Sequence, residues 1–221
     1  MRLKRSFFNS DTNEVARELL GKKIVRVFNN GQILEAIITE TEAYHGFTDK
    51  ASHASAKKTE RNKVMFEKAG LVYVYLVYGM HYCLNFTTMP EGFPAAVLIR
   101  GIALEIPNLP AGEAGPKHQI TNSPRQILQS NLTGQESQIQ NPKKLNTYYL
   151  IHNTEINGPG RVCKILQIDK SFYGEDLTKS KRIWVEDGID IEKNNIIASK
   201  RIGVDYAGEC ANWEWNYKID F

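Results

Sequence analysis

Apolar residues recur at helical spacing close to the start of the chain, from Val15 to Leu20. The side chain of Asp11 can accept hydrogen bonds from the free N–H groups at the start of such a helix, and the charge of Glu14 favours the helix dipole. Gly21 tolerates the backbone conformation that ends a helix. The pattern therefore predicts a first helix that begins after Asp11 and ends before Gly21.

Segments dense in Val, Ile, Tyr and Leu are typical of strands. The predicted strands are residues 22–28, 33–44, 71–77, 82–87, 95–100, 183–186 and 196–204. Tight turns are predicted at 29–31 (Asn-Asn-Gly) and 78–80 (Tyr-Gly-Met), because Gly and Asn accept positive φ. Further helices are predicted over 60–69, before Gly70, and over 159–166. Strands outnumber helices and the hairpins imply antiparallel pairing, which indicates an α+β fold. We expect a single compact domain over 1–221, built on a curved antiparallel sheet with flanking helices and a protruding β-hairpin.

Residues 107–150 differ in character from the rest of the chain. Pro and Gly open this stretch, and Asn, Gln, Ser and Lys then dominate it. Such a composition buries little apolar surface. We interpret the stretch as a long, partly flexible insertion within one domain and not as a linker between two.

Composition excludes several classes of protein but does not select one. The chain has 221 residues, of which 42% are hydrophobic and 24% charged, and a net charge of +3. That charge is too small to indicate nucleic-acid binding on its own. Three cysteines without CxxC spacing and five histidines without HxxxH spacing argue against a disulfide framework or a zinc site. We expect a soluble cytoplasmic protein with no metal, no cofactor and no membrane partner, because no signal-like or membrane-length apolar run is found.

The predicted strand 33–44 ends in acidic side chains. Alternate residues of a strand share a face, so Glu40, Glu42 and Tyr44 are expected on one side. Carboxylates gathered there could act as a general base. The alternative is a solvated polar face, which is the commoner situation for Glu.

The predicted strands 71–77 and 82–87 form a hairpin rich in aromatic residues. Tyr73 and Tyr75 share a face, and aromatic residues on strands are usually buried in a core. Tyr78 and Met80 lie at the turn, where little core is available. Exposed apolar side chains at such a tip fit insertion between stacked bases, and aromatic walls fit stacking on an extruded base.

A third feature is Arg100, which closes an apolar strand. It could form a salt bridge at the rim or contact an anion. A wedge, an aromatic pocket, a general base and an Arg together describe a site that acts on an extruded base.

At these same residues the sequence resembles the alkyladenine DNA glycosylase family, also called methylpurine or 3-methyladenine DNA glycosylases. The matching stretches are ARELLGK at 16–22, ETEAYHG at 40–46, ASHAS at 51–55, TERNKVMF at 59–66, GLVYVYLVYGMHYCLNF at 70–86, AAVLIR at 95–100, NGPGRVCKILQIDKSF at 157–172, IWVEDG at 183–188 and RIGVDYAGE at 201–209. Residues 101–156 carry no recognisable motif. The acidic motif followed by the aromatic hairpin is a specific combination.

The resemblance implies a monofunctional glycosylase that removes alkylated or deaminated purines from double-stranded DNA, as a monomer. It assigns the general base to Glu42, with Arg100 near the water and the DNA backbone and Val204 as a backbone position that helps hold the water. The remaining implied roles are base contact for Tyr44, His53 and Tyr75, discrimination against the 2-amino group of guanine for Asn85, and DNA intercalation for Tyr78 with Met80 and His81 beside it.

Two other functions remain open at the level of the sequence. A non-catalytic protein could use the same fold to recognise damaged DNA. A sugar glycosidase could use Glu40 and Glu42 as its two carboxylates. For a DNA-binding protein, phosphate contacts are expected from the cations near the motifs, which are Lys57, Lys58, Arg61, Lys63, Lys68, Lys164, Lys170 and Arg201.

Overall fold

The computed structural model describes residues 1–104 and 155–220, and within them nine strands pair antiparallel into one sheet. The strands are β1 (Lys23–Val27), β2 (Ile33–His45), β3 (Val72–Val77), β4 (His81–Thr87), β5 (Ala95–Leu104), β6 (Glu155–Asn157), β7 (Ile183–Glu186), β8 (Ile196–Ser199) and β9 (Asn216–Ile219). The helices are α1 (Arg5–Phe8), α2 (Thr12–Glu18) and α3 (Pro159–Leu166), with 3-10 turns at Lys63–Phe66, Lys170–Phe172, Lys193–Asn195 and Asp205–Asn212. The predicted α+β fold is confirmed.

β2 is the central strand of the sheet. The strand order is β3-β4-β5-β2-β1-β7, while β6 pairs with β5, and β9 joins β2 to β8. Glu42 faces Leu98 of β5 on one side and Asn216 of β9 on the other. β2 is therefore paired with a neighbouring strand on both sides at Glu42.

The register between β2 and β5 shifts around Glu40, as at a β-bulge. Gly101 lies opposite Glu40, and a β-carbon at Gly101 would meet Thr39 Oγ1 at 2.7 Å and Glu40 Cβ at 2.9 Å. The bulge therefore requires glycine at position 101.

Alternate residues along the strands point to opposite faces of the sheet, a core face that packs against the helices and a second face that carries Glu42, which we call the site face. Ala43, Val74 and Ile99 belong to the main core, against which α2 and α3 pack. Thr41 also faces α2, since its hydroxyl donates to the carbonyl of Ala16 at 2.8 Å. The residues between these positions, among them Glu42, point to the opposite face of the sheet.

Several predicted elements are confirmed with small changes at their ends. Asp11 caps α2 by accepting from the N–H groups of Asn13 and Glu14. The helix predicted over 159–166 is α3, and the strand predicted over 183–186 is β7. Cys163 is buried in the core, and the three cysteines are free thiols.

The helix predicted over 60–69 is wrong, because only the 3-10 turn Lys63–Phe66 forms there. The buried side chain of Asn62 explains the difference. Its amide donates to the carbonyls of His53 and Lys57, and its oxygen accepts from the N–H of Thr59. These bonds hold Asn62 in a loop with residues 53–59, so a helix cannot begin at residue 60.

The strand predicted over 196–204 is also wrong beyond Ser199, where β8 ends. Arg201 turns inward and is buried, and Gly203 has a φ of 75°. The chain therefore leaves the sheet and passes over the site face. Neither α1, β6 nor β9 was expected from the sequence.

The insertion predicted at 107–150 lies outside the described residues, and the single domain over 1–221 stays a prediction. In the described part of the chain, no helix is both long and apolar enough to cross a bilayer.

Candidate active site

A cavity of about 430 Å³ opens on the site face of the sheet. Eight of the ten residues that the resemblance singled out line it, namely Glu42, Tyr44, His53, Tyr75, Tyr78, Asn85, Arg100 and Val204. The other two, Met80 and His81, lie outside its walls. The fold thus brings residues from β2, β3, β4, β5 and the loop after β8 to one place.

The carboxylate of Glu42 lies in this cavity wall with no solvent-exposed surface of its own. One oxygen, Oε1, accepts from the backbone N–H of Ile202 at 2.8 Å and from Asn216 Nδ2 at 3.1 Å. The other, Oε2, accepts from the hydroxyl of Tyr44 at 2.8 Å. Oε1 is therefore occupied by fixed donors, while Oε2 keeps capacity for a further hydrogen bond.

Glu40 and Arg100 complete a buried polar network behind Glu42. Arg100 Nε donates to Glu40 Oε1 at 3.0 Å, and Arg100 Nη1 lies 3.6 Å from Glu42 Oε1. Asn216 Nδ2 also donates to Glu40 Oε1, at 2.8 Å. The guanidinium of Arg100 offsets part of the charge of the two carboxylates, and the neutral amide of Asn216 supplies hydrogen bonds to both of them.

Asn216 was not identified from the sequence. It lies 174 residues after Glu42 and outside every matching stretch, and only the pairing of β9 with β2 brings the two together. The strand reads Asn-Tyr-Lys-Ile, so no local feature of the sequence sets Asn216 apart.

Tyr44 covers the carboxylate and forms one wall of the cavity. Burial, together with the negative charge of Glu42, raises the pKa of Tyr44 well above its ordinary value. Its hydroxyl therefore stays protonated and donates to Glu42. The guanidinium of Arg201 lies 4.8 Å from the centre of the Tyr44 ring and fixes that ring from behind.

The facing wall is aromatic and built from His53, Tyr73 and Tyr75. The ring centres of His53 and Tyr75 are 4.5 Å apart, and those of Tyr73 and Tyr75 are 5.3 Å apart. His53 Nδ1 lies 2.9 Å from the hydroxyl of Tyr73. Burial, helped by the positive charge of Arg61, lowers the pKa of His53 to about 4. His53 is therefore a neutral ring at pH 7.

Asn85 is buried at the bottom of this wall. Its amide nitrogen donates to the carbonyls of Tyr73, at 3.0 Å, and Cys83, at 3.2 Å. The side chain is consequently fixed by its own hairpin.

The hairpin formed by β3 and β4 ends in a tight turn at the cavity mouth. Tyr78 and Gly79 both have positive φ, 51° and 68°, and the N–H of Met80 donates to the carbonyl of Val77. Tyr78 is 89% exposed and Met80 72% exposed. A large aromatic side chain with positive φ is unusual, and such strain is concentrated at functional sites. His81 lies beside the turn, close enough to Gly160 of α3 that a β-carbon there would meet it at 3.1 Å.

Arg201 does not reach a phosphate-contacting surface, which corrects the role expected for it. Its guanidinium and the Asp49 carboxylate are both completely buried, and the two hydrogen bonds between them are 2.5 and 2.8 Å long. Arg201 also donates to the carbonyls of Ala43 and Cys210. It therefore ties β2 to the loop after β8 and places the N–H of Ile202, the next residue, against Glu42.

Val204 lines the cavity at the start of the 3-10 turn Asp205–Asn212. Its carbonyl accepts from the N–H of Ala207 at 2.9 Å, and a carbonyl oxygen has a second lone pair. A role for that carbonyl in holding water stays a prediction.

These groups place a buried carboxylate in the wall of a cavity lined by aromatic side chains. Within residues 1–104 and 155–220, no group of His, Cys, Asp and Glu side chains could hold a metal ion. A carboxylate held by fixed donors can take a proton from water and stabilise positive charge that develops nearby.

Comparison with known proteins points to one family. Residues 6–220 match the methylpurine-DNA glycosylase family. A protein of Desulfitobacterium hafniense is 40% identical over 99% of this chain and 95% of its own length, and one of Methanocella arvoryzae is 41% identical over 97% and 90%. A protein of Rickettsia prowazekii is 44% identical over 91% and 88%. Each of these relatives has a name that gives 3-methyladenine DNA glycosylase as its expected activity.

Proposed function

This chain belongs to the methylpurine-DNA glycosylase family, and from that premise we propose that it flips alkylated or deaminated purines out of duplex DNA and hydrolyses their N-glycosidic bonds. The product is an abasic site, and the enzyme acts as a monomer in base excision repair. The family itself establishes a DNA glycosylase, a hydrolase of N-glycosyl bonds that repairs alkylation damage in DNA.

The observation that carries the proposal is the unequal hydrogen bonding of the two Glu42 oxygens. Oε1 is held by Ile202 and Asn216, whereas Oε2 accepts only from Tyr44. Oε2 is therefore the oxygen that takes a proton from the attacking water. As the bond between base and sugar breaks, positive charge develops on the deoxyribose, and the buried carboxylate stabilises it.

The aromatic walls fit a flat, cationic base. A purine methylated at N3 or N7 carries a positive charge, and the electron-rich faces of Tyr44 and Tyr75 favour a cation by roughly 0.5–2 kcal/mol for each good contact. His53, which is neutral because its pKa is lowered to about 4, adds a ring without adding charge. The amide of Asn85 is fixed in position, which supports its role in excluding normal guanine sterically at the 2-amino group.

The hairpin tip supports the extrusion step. Tyr78 is the most exposed large apolar side chain at the cavity mouth, with Met80 and His81 beside it. A ring inserted into the duplex fills the gap that an extruded nucleotide leaves and repays part of the cost of unstacking.

The cavity favours simple hydrolysis over strand cleavage. A glycosylase that also cleaves the strand needs an amine nucleophile to form a Schiff base. Among the described residues, no lysine lines the cavity. We therefore expect abasic sites without strand breaks.

The geometry disfavours a sugar glycosidase. Such enzymes place two carboxylates on either side of the scissile bond, whereas Glu40 and Glu42 accept from the same nitrogen of Asn216. Of the two, only Glu42 lines the cavity. Glu40 therefore supports Glu42 and does not face a substrate.

A base-release assay tests the proposed function and separates it from damage recognition without catalysis. Duplexes containing 3-methyladenine, 7-methylguanine, hypoxanthine or ethenoadenine are incubated with the protein, and an undamaged duplex is the control. We expect free modified base and an alkali-sensitive site, with the strand intact before alkali treatment. Binding of damaged duplexes without release of any base would refute the proposal.

A further inference from the structure

Arg61 differs from the other arginines around the site because its charge is not offset. Arg100 is paired with Glu40 and Glu42, and Arg201 with Asp49. Glu60, the sequence neighbour of Arg61, pairs with Lys63 instead. Among the described residues, no carboxylate forms an ion pair with Arg61.

This uncompensated charge lies against the base-binding wall. The guanidinium carbon of Arg61 is 5.0 Å from the centre of the Tyr75 ring, and Arg61 lines the cavity. Its field reaches across that wall, since it contributes to the lowered pKa of His53 and lowers the pKa of Tyr73 against the effect of burial. The positive charge of Arg61 therefore acts on the part of the cavity where an extruded base would lie.

A positive charge at this wall has opposite effects on the two kinds of substrate. A cationic base gains nothing from it, because like charges repel. A neutral purine such as hypoxanthine leaves with the electron pair of the broken bond and becomes an anion, unless it is protonated first. His53 is neutral at pH 7, and the three tyrosine hydroxyls of the cavity wall keep their protons because their pKa values are raised, so none of these groups is a strong acid.

We propose that Arg61 stabilises the negative charge that develops on a neutral purine as it departs, and so allows this site to excise neutral as well as cationic bases. This inference rests on the proposed function. The electron pair of the broken bond goes to the base, the oxygen of water bonds to C1′ of the sugar, and Glu42 takes the proton of the water. The departed base anion then accepts that proton from Glu42 or from solvent, which completes hydrolysis.

The test compares a neutral and a cationic substrate in the same enzyme variants. Values of kcat/KM are measured for hypoxanthine and 7-methylguanine duplexes with the parent, Arg61→Gln and Arg61→Lys proteins. Lys63→Gln is a matched control, since it removes a nearby positive charge that does not line the cavity. Arg61 is exposed, so these substitutions are expected to leave the fold intact.

We expect Arg61→Gln to lower the ratio of hypoxanthine to 7-methylguanine excision by about tenfold or more. Arg61→Lys, which keeps the charge, should keep the ratio within about threefold of the parent, and Lys63→Gln should not change it. The pKa of His53, followed by NMR, should rise in Arg61→Gln because a cause of its lowering is removed.

An unchanged ratio in Arg61→Gln would overturn the proposal, because loss of a phosphate contact weakens both substrates equally. An equal loss in Arg61→Lys would also overturn it, since shape and not charge would then matter. A parent enzyme that releases 7-methylguanine but no hypoxanthine would refute this inference and leave the proposed function standing. Release of neither base, nor of 3-methyladenine, would instead refute the proposed function.

Discussion

Replacing Asp49 with asparagine should destabilise the protein severely, because it leaves the charge of Arg201 buried without a counter-charge. Both side chains have no solvent-exposed surface, and both oxygens of Asp49 accept from the guanidinium. Removing one partner of such a pair costs about 3–5 kcal/mol. A domain typically has about 5–15 kcal/mol of stability in total, so this loss would be a large part of it.

Urea denaturation followed by tryptophan fluorescence measures the effect. Glu60→Gln is the matched control, since it breaks the exposed ion pair with Lys63 and should give no resolvable change. The double variant Asp49→Asn with Arg201→Met should recover part of the loss, because no buried charge is then left unpaired. If Asp49→Asn unfolds at the same urea concentration as the control, the buried pair does not hold the loop that supplies the N–H of Ile202.

Three further outcomes follow from the site. The folded pKa of His53 is about 4 and its ordinary value is 6.5, so the unfolded chain takes up this proton first as the pH falls. The free energy of unfolding should therefore drop by roughly 3 kcal/mol between about pH 6.5 and pH 4. His53→Gln should reduce this dependence of the unfolding free energy on pH in denaturation experiments. Tyr78→Gly should weaken binding to a duplex with an abasic site by about 10- to 100-fold. It should raise the free energy of unfolding by about 1 kcal/mol, because the positive φ no longer strains a side chain, and unchanged binding would exclude the wedge role. Asn216→Ala should slow single-turnover base release by at least about tenfold with little change in DNA affinity, and an equal loss of both would indicate a merely structural role.

Much of the fold could be predicted from local patterns. The Asp11 cap and the dense Val and Tyr of β3 determine structure through neighbouring residues, so the sequence predicted these elements closely. The elements that were missed depend on distant contacts. Residues 53–62 fold around the buried Asn62, and β8 ends at Ser199 because Arg201 turns toward Asp49. No local pattern predicts either event.

The candidate site shows the same division. The motif around Glu42 and the aromatic hairpin identified most of the residues that line the cavity. The partners that hold Glu42 in place, Asn216 and the N–H of Ile202, lie 174 and 160 residues away in the chain. They could not be predicted, because an amide in β9 and a backbone N–H in a loop become significant only when the sheet brings them to the carboxylate.

The most direct test of the account is single-turnover release of 3-methyladenine by the parent, Glu42→Gln and Glu40→Gln proteins. If Glu42 takes the proton of the attacking water, Glu42→Gln should lower the rate by about 10²–10⁴ and still bind the damaged duplex. Glu40→Gln should lose much less, since that carboxylate does not line the cavity. Release by Glu42→Gln at the parent rate, or an equal loss in both variants, would contradict the assignment of Glu42 as the base.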